Sequence, residues 1–186
     1  MEQNERYTVF AGFSRIAGGS MEEVAAIAKR RFDGDATENV LVFDNESGRT
    51  VDFDLSGSVA DVVEQARSRA ERRPSRGRPK LGVDCGELCL LPRHWEWLAA
   101  QPRSASATVR RLIDAARKAE TPEDRLRDRI DAAGAFMWSI AGDLPGFEEA
   151  SRALYATNWA ELERRIESWP EDVRAHALSL LEHRRH

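Results

Sequence analysis

The sequence predicts an α+β fold in three parts: an N-terminal βαββα unit, a central strand-helix-helix unit, and a small C-terminal helical bundle. Three observations predict it. Runs of β-branched and aromatic residues, YTVFAGF and NVLVFDNESGRTVDFDL, fall only within the first 55 residues. A stretch rich in arginine and proline interrupts the pattern at residues 67–82. Beyond Glu120 every apolar residue recurs at helical spacing. The segments are therefore 1–66, a basic linker or arm at 67–82, 83–120, and 121–186.

The elements follow in order. YTVFAGF reads as a strand. Ser20 is the predicted N-cap of the next helix, with Glu23 completing a capping box and Val24, Ile27 and Ala28 forming its apolar stripe. The glycines of AGFSRIAGGS match neither a dinucleotide fingerprint nor a phosphate loop, so they are read as turn residues. DNESG between two strand-like runs predicts a hairpin. SVADVVEQARSRAERR predicts a helix from Ser58 that Pro74 ends. VDCGELCLL predicts a short strand over 83–91. Pro92 opens a helix in which Trp95, Leu98 and Ala99 form a buried stripe. Ser104 or Ser106 caps another, with Val109, Leu112, Ile113 and Ala116 on one face. Thr121 caps a long helix with Leu126, Ile130, Ala133, Met137 and Ile140 as its stripe, and three shorter helices follow. There is no internal repeat.

Composition bounds the function. Of 186 residues, 41% are hydrophobic and 32% charged, an ordinary globular balance. The longest central apolar run, LCLL, is far short of the roughly 18 residues of a membrane span, and the N-terminus lacks a signal pattern. A cytoplasmic protein without a membrane partner is expected. On a strand, Cys85 and Cys89 lie about 13 Å apart at ~3.3 Å per residue, too far for a disulfide or for one zinc ion. They read as reduced thiols, at least one of them packed. His94, close to Trp95 and Trp97, could be a base in an aromatic pocket, while His176, His183 and His186 read as solvated helix-end cations. No nucleophile, base and orienter stand at a recognisable spacing, so no catalytic activity, metal or cofactor is expected.

The charge is uneven. Net charge is −4, yet residues 67–80 hold seven basic side chains against Glu71 alone, a local +6. A basic strap on an acidic body attracts polyanions. Pro79 keeps Arg78 extended, and Gly77, having no Cβ, allows close backbone approach. An extended arm bearing arginines fits the narrow minor groove of A·T-rich DNA, whose floor lacks the guanine amino group. Arg76-Gly77-Arg78-Pro79 resembles the core of the AT-hook peptide motif. With Arg72, Arg73 and Lys80, these residues are the predicted arm contacts. The competing reading is a solvated basic linker.

CLLPRHWEWL and RSASATVRRLIDAARK resemble a ribbon-helix-helix DNA-binding domain. The resemblance implies a homodimer whose paired strands enter the major groove, with the start of the second helix holding a phosphate. It would place Glu87 and Cys89 toward the groove, Leu88 and Leu90 inward, and Ser104 and Ser106 with nearby backbone N–H groups on phosphate; Arg93 is a further expected DNA contact. Such a strand offers little direct base readout, so binding would rest on the arm and on phosphates, with A·T preference. The whole chain, from YTVFAGF through WPEDVRAHALSLL, also resembles an uncharacterised bacterial domain-of-unknown-function family.

The expected function is a dimeric DNA-binding protein, a transcription regulator or nucleoid-type binder, with double-stranded DNA as its partner. The alternative is a protein-interaction module. On that reading most of Phe136, Met137, Trp138, Phe147, Tyr155, Trp159 and Trp169 are core, and joint exposure of Trp97 and Trp138 would mark an interface.

Overall fold

A computed structural model of the chain describes residues 5–34, 39–71, 89–119 and 121–182. The described elements are β1 (Tyr7–Ala11), β2 (Ser14–Gly19), α1 (Met21–Gly34), β3 (Val40–Asp44), α2 (Val59–Glu71), α3 (Pro92–Ala99), α4 (Ala105–Ala119), α5 (Pro122–Ala141), α6 (Phe147–Tyr155), α7 (Trp159–Ile166) and α8 (Glu171–Glu182). The fold class is α+β. The described strands form an antiparallel sheet in the order β2-β1-β3. Two compact units divide the chain: Met1–Ala70 with Leu126–His186, and Glu71–Arg125. No described helix is long and apolar enough to cross a membrane.

In the first unit β1 is central because four consecutive residues, Thr8 to Ala11, are buried. The strand read over residues 7–13 ends sooner. Gly12, at φ +55°, turns the chain, and SRIAGG returns as β2 where only turn glycines were expected. Its edge position explains the missing signal: Ser14, Arg15 and Ile16 are exposed, so the run carries no apolar alternation. The predicted hairpin over DNESG is half present. After β3 the chain makes a single bridge, Phe43 to Thr50, and Val51 N–H donates to the Val42 carbonyl at 2.7 Å, but no second strand forms. Docking takes up the turn instead. Asn45 Nδ2 donates to the Glu5 carbonyl and to Thr8 Oγ1. Gly48, at φ +66°, lies so close to the Ala132 carbonyl of α5 that any Cβ would overlap it.

That docking joins the two ends of the sequence. Phe10 and Phe43 of the sheet share one core with Ile130, Phe136 and Met137 of α5 and with Val173, Ala177 and Leu180 of α8. The N-terminal and C-terminal segments, separate in the sequence reading, thus build one body. Phe43 meets Phe136 edge-on with centroids 4.8 Å apart, the geometry aromatic quadrupoles favour. His176, expected in solvent, is buried beside Phe10 and Phe136 at 5.4 and 4.6 Å. The α8 stripe of Val173, Ala177 and Leu180 points inward, and His176 neighbours Ala177 on that face. Of the large side chains read as mostly core, Trp159 is 38% exposed, while Trp169 is buried along with Leu162 and Ile166.

The caps match their prediction. The Ser20 and Glu23 side chains exchange hydrogen bonds with each other's backbone N–H, at 2.8 and 3.3 Å. Ser58 with Asp61 and Thr121 with Asp124 repeat the arrangement on α2 and α5.

Candidate nucleic-acid interface

The second unit is built from residue chemistry that stops and starts helices. Leu91 is extended and Pro92 supplies the first helical position of α3. Pro102 forbids continuation, and the chain turns through Gln101–Arg103 into α4. Of the two predicted caps it is Ser104 that flanks the helix: its carbonyl accepts from Thr108 N–H at 2.9 Å, and its Oγ accepts from Ala107 N–H at 3.4 Å. Ser106 lies inside the first turn, where its carbonyl accepts from Arg110 Nε at 3.2 Å.

The first N–H groups of a helix have no intrahelical acceptor, so the Ala105 and Ser106 amides project from the end of α4 with the positive pole of the helix dipole. The electrostatic setting leaves that pole uncompensated. Neither α3 nor α4 carries an acid in its first turn, whereas α1, α2, α5, α6, α7 and α8 all do. Arg103, Arg110 and Arg111 are exposed around the same helix. The second unit holds twelve basic and eight acidic side chains, a net +4, against −8 for the rest of the chain. An anion is favoured at this end of α4.

Four of the predicted contact residues are described, and all four are exposed: Cys89, Arg93, Ser104 and Ser106. Cys89 is a free thiol just before α3. Arg93 Nε approaches His94 Nε2 at 3.4 Å on the first turn of α3, and Ser104 and Ser106 share the start of α4. Arg72, Arg73, Arg76, Gly77, Arg78, Pro79, Lys80 and Glu87 lie outside the described residues, as do Cys85, Leu88 and most of the strand predicted over 83–91. Cys89, Leu90 and Leu91, the described end of that stretch, are in no strand. His94, Trp95 and Trp97 are all exposed, so these three side chains enclose no aromatic pocket. Among the described residues no group of three or more His, Cys, Asp or Glu is placed to hold a metal.

The stripe predicted for α3 is corrected. Leu98 is buried, but Trp95 is 48% exposed and Ala99 is exposed too. On α4, Leu112 and Ile113 are 44% and 52% exposed. Two short helices bury little between them: Leu98 and Thr108 are the buried side chains among the described residues of this unit. The sequence reading missed Thr108, because a threonine breaks no apolar pattern. It also missed the acid-free helix starts, which were visible as PRHW and ASAT.

The model of a family described as an uncharacterized protein conserved in bacteria (DUF2239) matches residues 6–181. No curated protein and no solved structure matches the chain.

Proposed function

The chain belongs to DUF2239, and we propose that it is a dimeric, non-catalytic DNA-binding protein, a transcription regulator or nucleoid-type binder. The observation that carries this reading is a charge arrangement. The greater part of the basic segment, residues 71–80 with five basic side chains against Glu71, belongs to the same unit as α4, whose first turn holds no acid and which carries the exposed Arg103, Arg110 and Arg111 beside and along it. On this reading the Arg76-Gly77-Arg78-Pro79 arm occupies the minor groove of A·T-rich duplex. Cys89 and Glu87 face the major groove, while Arg93, Ser104, Ser106 and the α4 amides hold phosphates. Phosphate contacts supply affinity and groove shape supplies the A·T preference.

The exposed apolar faces of α3 and α4 support the dimer. Trp95, Trp97, Leu112 and Ile113 are each about half exposed, and a second copy of the unit would cover them. The same exposure favours one other reading, an oligomerisation module in which the basic segment is only a solvated linker.

Fluorescence-polarisation titration with A·T-rich and G·C-rich duplexes at two salt concentrations separates the two. DNA binding predicts tighter A·T binding that weakens steeply with salt. Equal, salt-insensitive or absent binding to both duplexes favours the module.

A further inference from the structure

A second surface of unusual chemistry lies in the first unit, on the α5–α6 corner. Among the described residues Trp138 is the most exposed of the large hydrophobic side chains, at 75%. It stands on the solvent side of α5, opposite Ala133, Phe136 and Met137, which enter the core. Phe147, at the start of α6, packs against it with ring centroids 5.7 Å apart and planes tilted by 58°. The two rings border an open groove of about 370 Å³ lined also by Gly142, Leu144, Glu148 and Glu149. Farther along α6, Tyr155 continues the aromatic surface and is 59% exposed, its hydroxyl lying over Gly134, one turn before Trp138 on α5.

The groove is preorganised. Leu144 N–H donates to the Ala141 carbonyl at 2.9 Å, Phe147 N–H to the Leu144 carbonyl at 3.2 Å, and Trp169 Nε1 to the Pro145 carbonyl at 2.9 Å. These bonds pin the α5–α6 loop that carries its wall, so a ligand would not have to order it. Its charge is negative. Asp143, Glu148 and Glu149 stand against Arg152, which reaches Glu148 at 3.6 Å and Glu149 at 3.4 Å from a side chain that is itself 72% exposed. An indole face beside carboxylates attracts a planar cation: the guanidinium stacks on the ring and its N–H fork meets the oxygens. From Phe147 to Tyr155 the ridge runs about 12 Å along α6, the length of about four extended residues. That length suits a chain more than a free small cation.

We propose that the Trp138–Phe147 groove with Glu148 and Glu149 is a docking site for an arginine-bearing peptide segment of a partner protein. Its chemistry is opposite to that of the basic unit, and it does not depend on DNA binding.

The test is fluorescence anisotropy of a labelled Gly-Arg-Gly-Arg-Gly peptide titrated with the full chain, beside the same peptide carrying citrulline, a neutral isostere, for arginine. The arginine peptide should bind, and the citrulline peptide about tenfold or more weaker. Trp138→Ala should weaken binding roughly tenfold. Glu148→Gln with Glu149→Gln should weaken it several-fold and flatten its salt dependence. Trp138 is exposed, so its variant should melt within a degree or two of the parent, which separates lost binding from lost folding. No binding to the parent, equal affinity for both peptides, or full binding by either variant would overturn the proposal.

Discussion

The two units are stabilised in different ways. Of the buried hydrophobic side chains, 25 belong to the first unit and one, Leu98, to the described part of the second. The first unit closes on itself: sheet, α5 and α8 share a core of aromatic rings, and the helices that begin in it neutralise their own N-terminal dipoles with Glu22, Asp61, Glu148, Glu161 and Glu171. In the second unit α3 and α4 start without an acid and leave apolar side chains in water. A region that builds a large core of its own is a scaffold. One that buries a single apolar side chain among its described residues is completed by what it binds.

Breaking the scaffold should cost most. Gly48→Ala forces a side chain onto the Ala132 carbonyl at a left-handed backbone position. A loss of roughly 3 kcal/mol or more is expected in urea unfolding. Phe136→Ala empties the centre of the ring cluster and should cost about 3–5 kcal/mol. Trp97→Ala in the second unit, half exposed, should change unfolding by less than ~0.5 kcal/mol. If Trp97 proved as costly as Phe136, the contrast between the units would fail.

The second unit should respond in assembly instead. Leu112→Asp with Ile113→Asp places charge on the exposed face of α4. Light scattering should then read a monomer where the parent reads a dimer, with the melting of the first unit unchanged. A parent that is strictly monomeric would remove the role given to that face.

The smallest effect is electrostatic. A hydrogen bond from the Ser20 backbone holds Glu23 below its ordinary value, one from the Ser58 hydroxyl lowers Asp61, and hydrogen bonds from Arg164 and Arg165 lower Glu161. Folding thus favours their charged forms. The stability they contribute is present above the unfolded values, 4.5 for glutamate and 3.8 for aspartate, and is lost as pH falls through the lowered folded values. Melting temperature should drop below about pH 4.5, and Glu161→Gln should make that drop shallower. An unchanged acid profile in the variant would remove Glu161 from the account.

How far the sequence could be read follows from the same contrast. Caps and stripes are local, so Ser20 with Glu23, Ser58, Thr121 and the α5 stripe from Ile130 to Met137 were legible. The edge strand β2 was not, because exposed Ser14, Arg15 and Ile16 carry no period. The burial of His176 and the docking of Gly48 on α5 were not, because both depend on residues more than 80 positions away. At the candidate interface a serine cap before α4 was legible, but not which of Ser104 and Ser106 supplies it. The exposure of Trp95 was not, since a helical stripe shows which residues share a face and not whether anything covers it.

The central claim is that the basic segment holds DNA. Gel-shift binding of an A·T-rich duplex by the parent and by Arg76→Ala with Arg78→Ala tests it most directly. The account predicts that the double variant loses about two to four kcal/mol of binding free energy and that its salt slope falls by about two. Parent and variant binding with equal affinity and slope, or a parent that leaves the duplex unshifted, would contradict it.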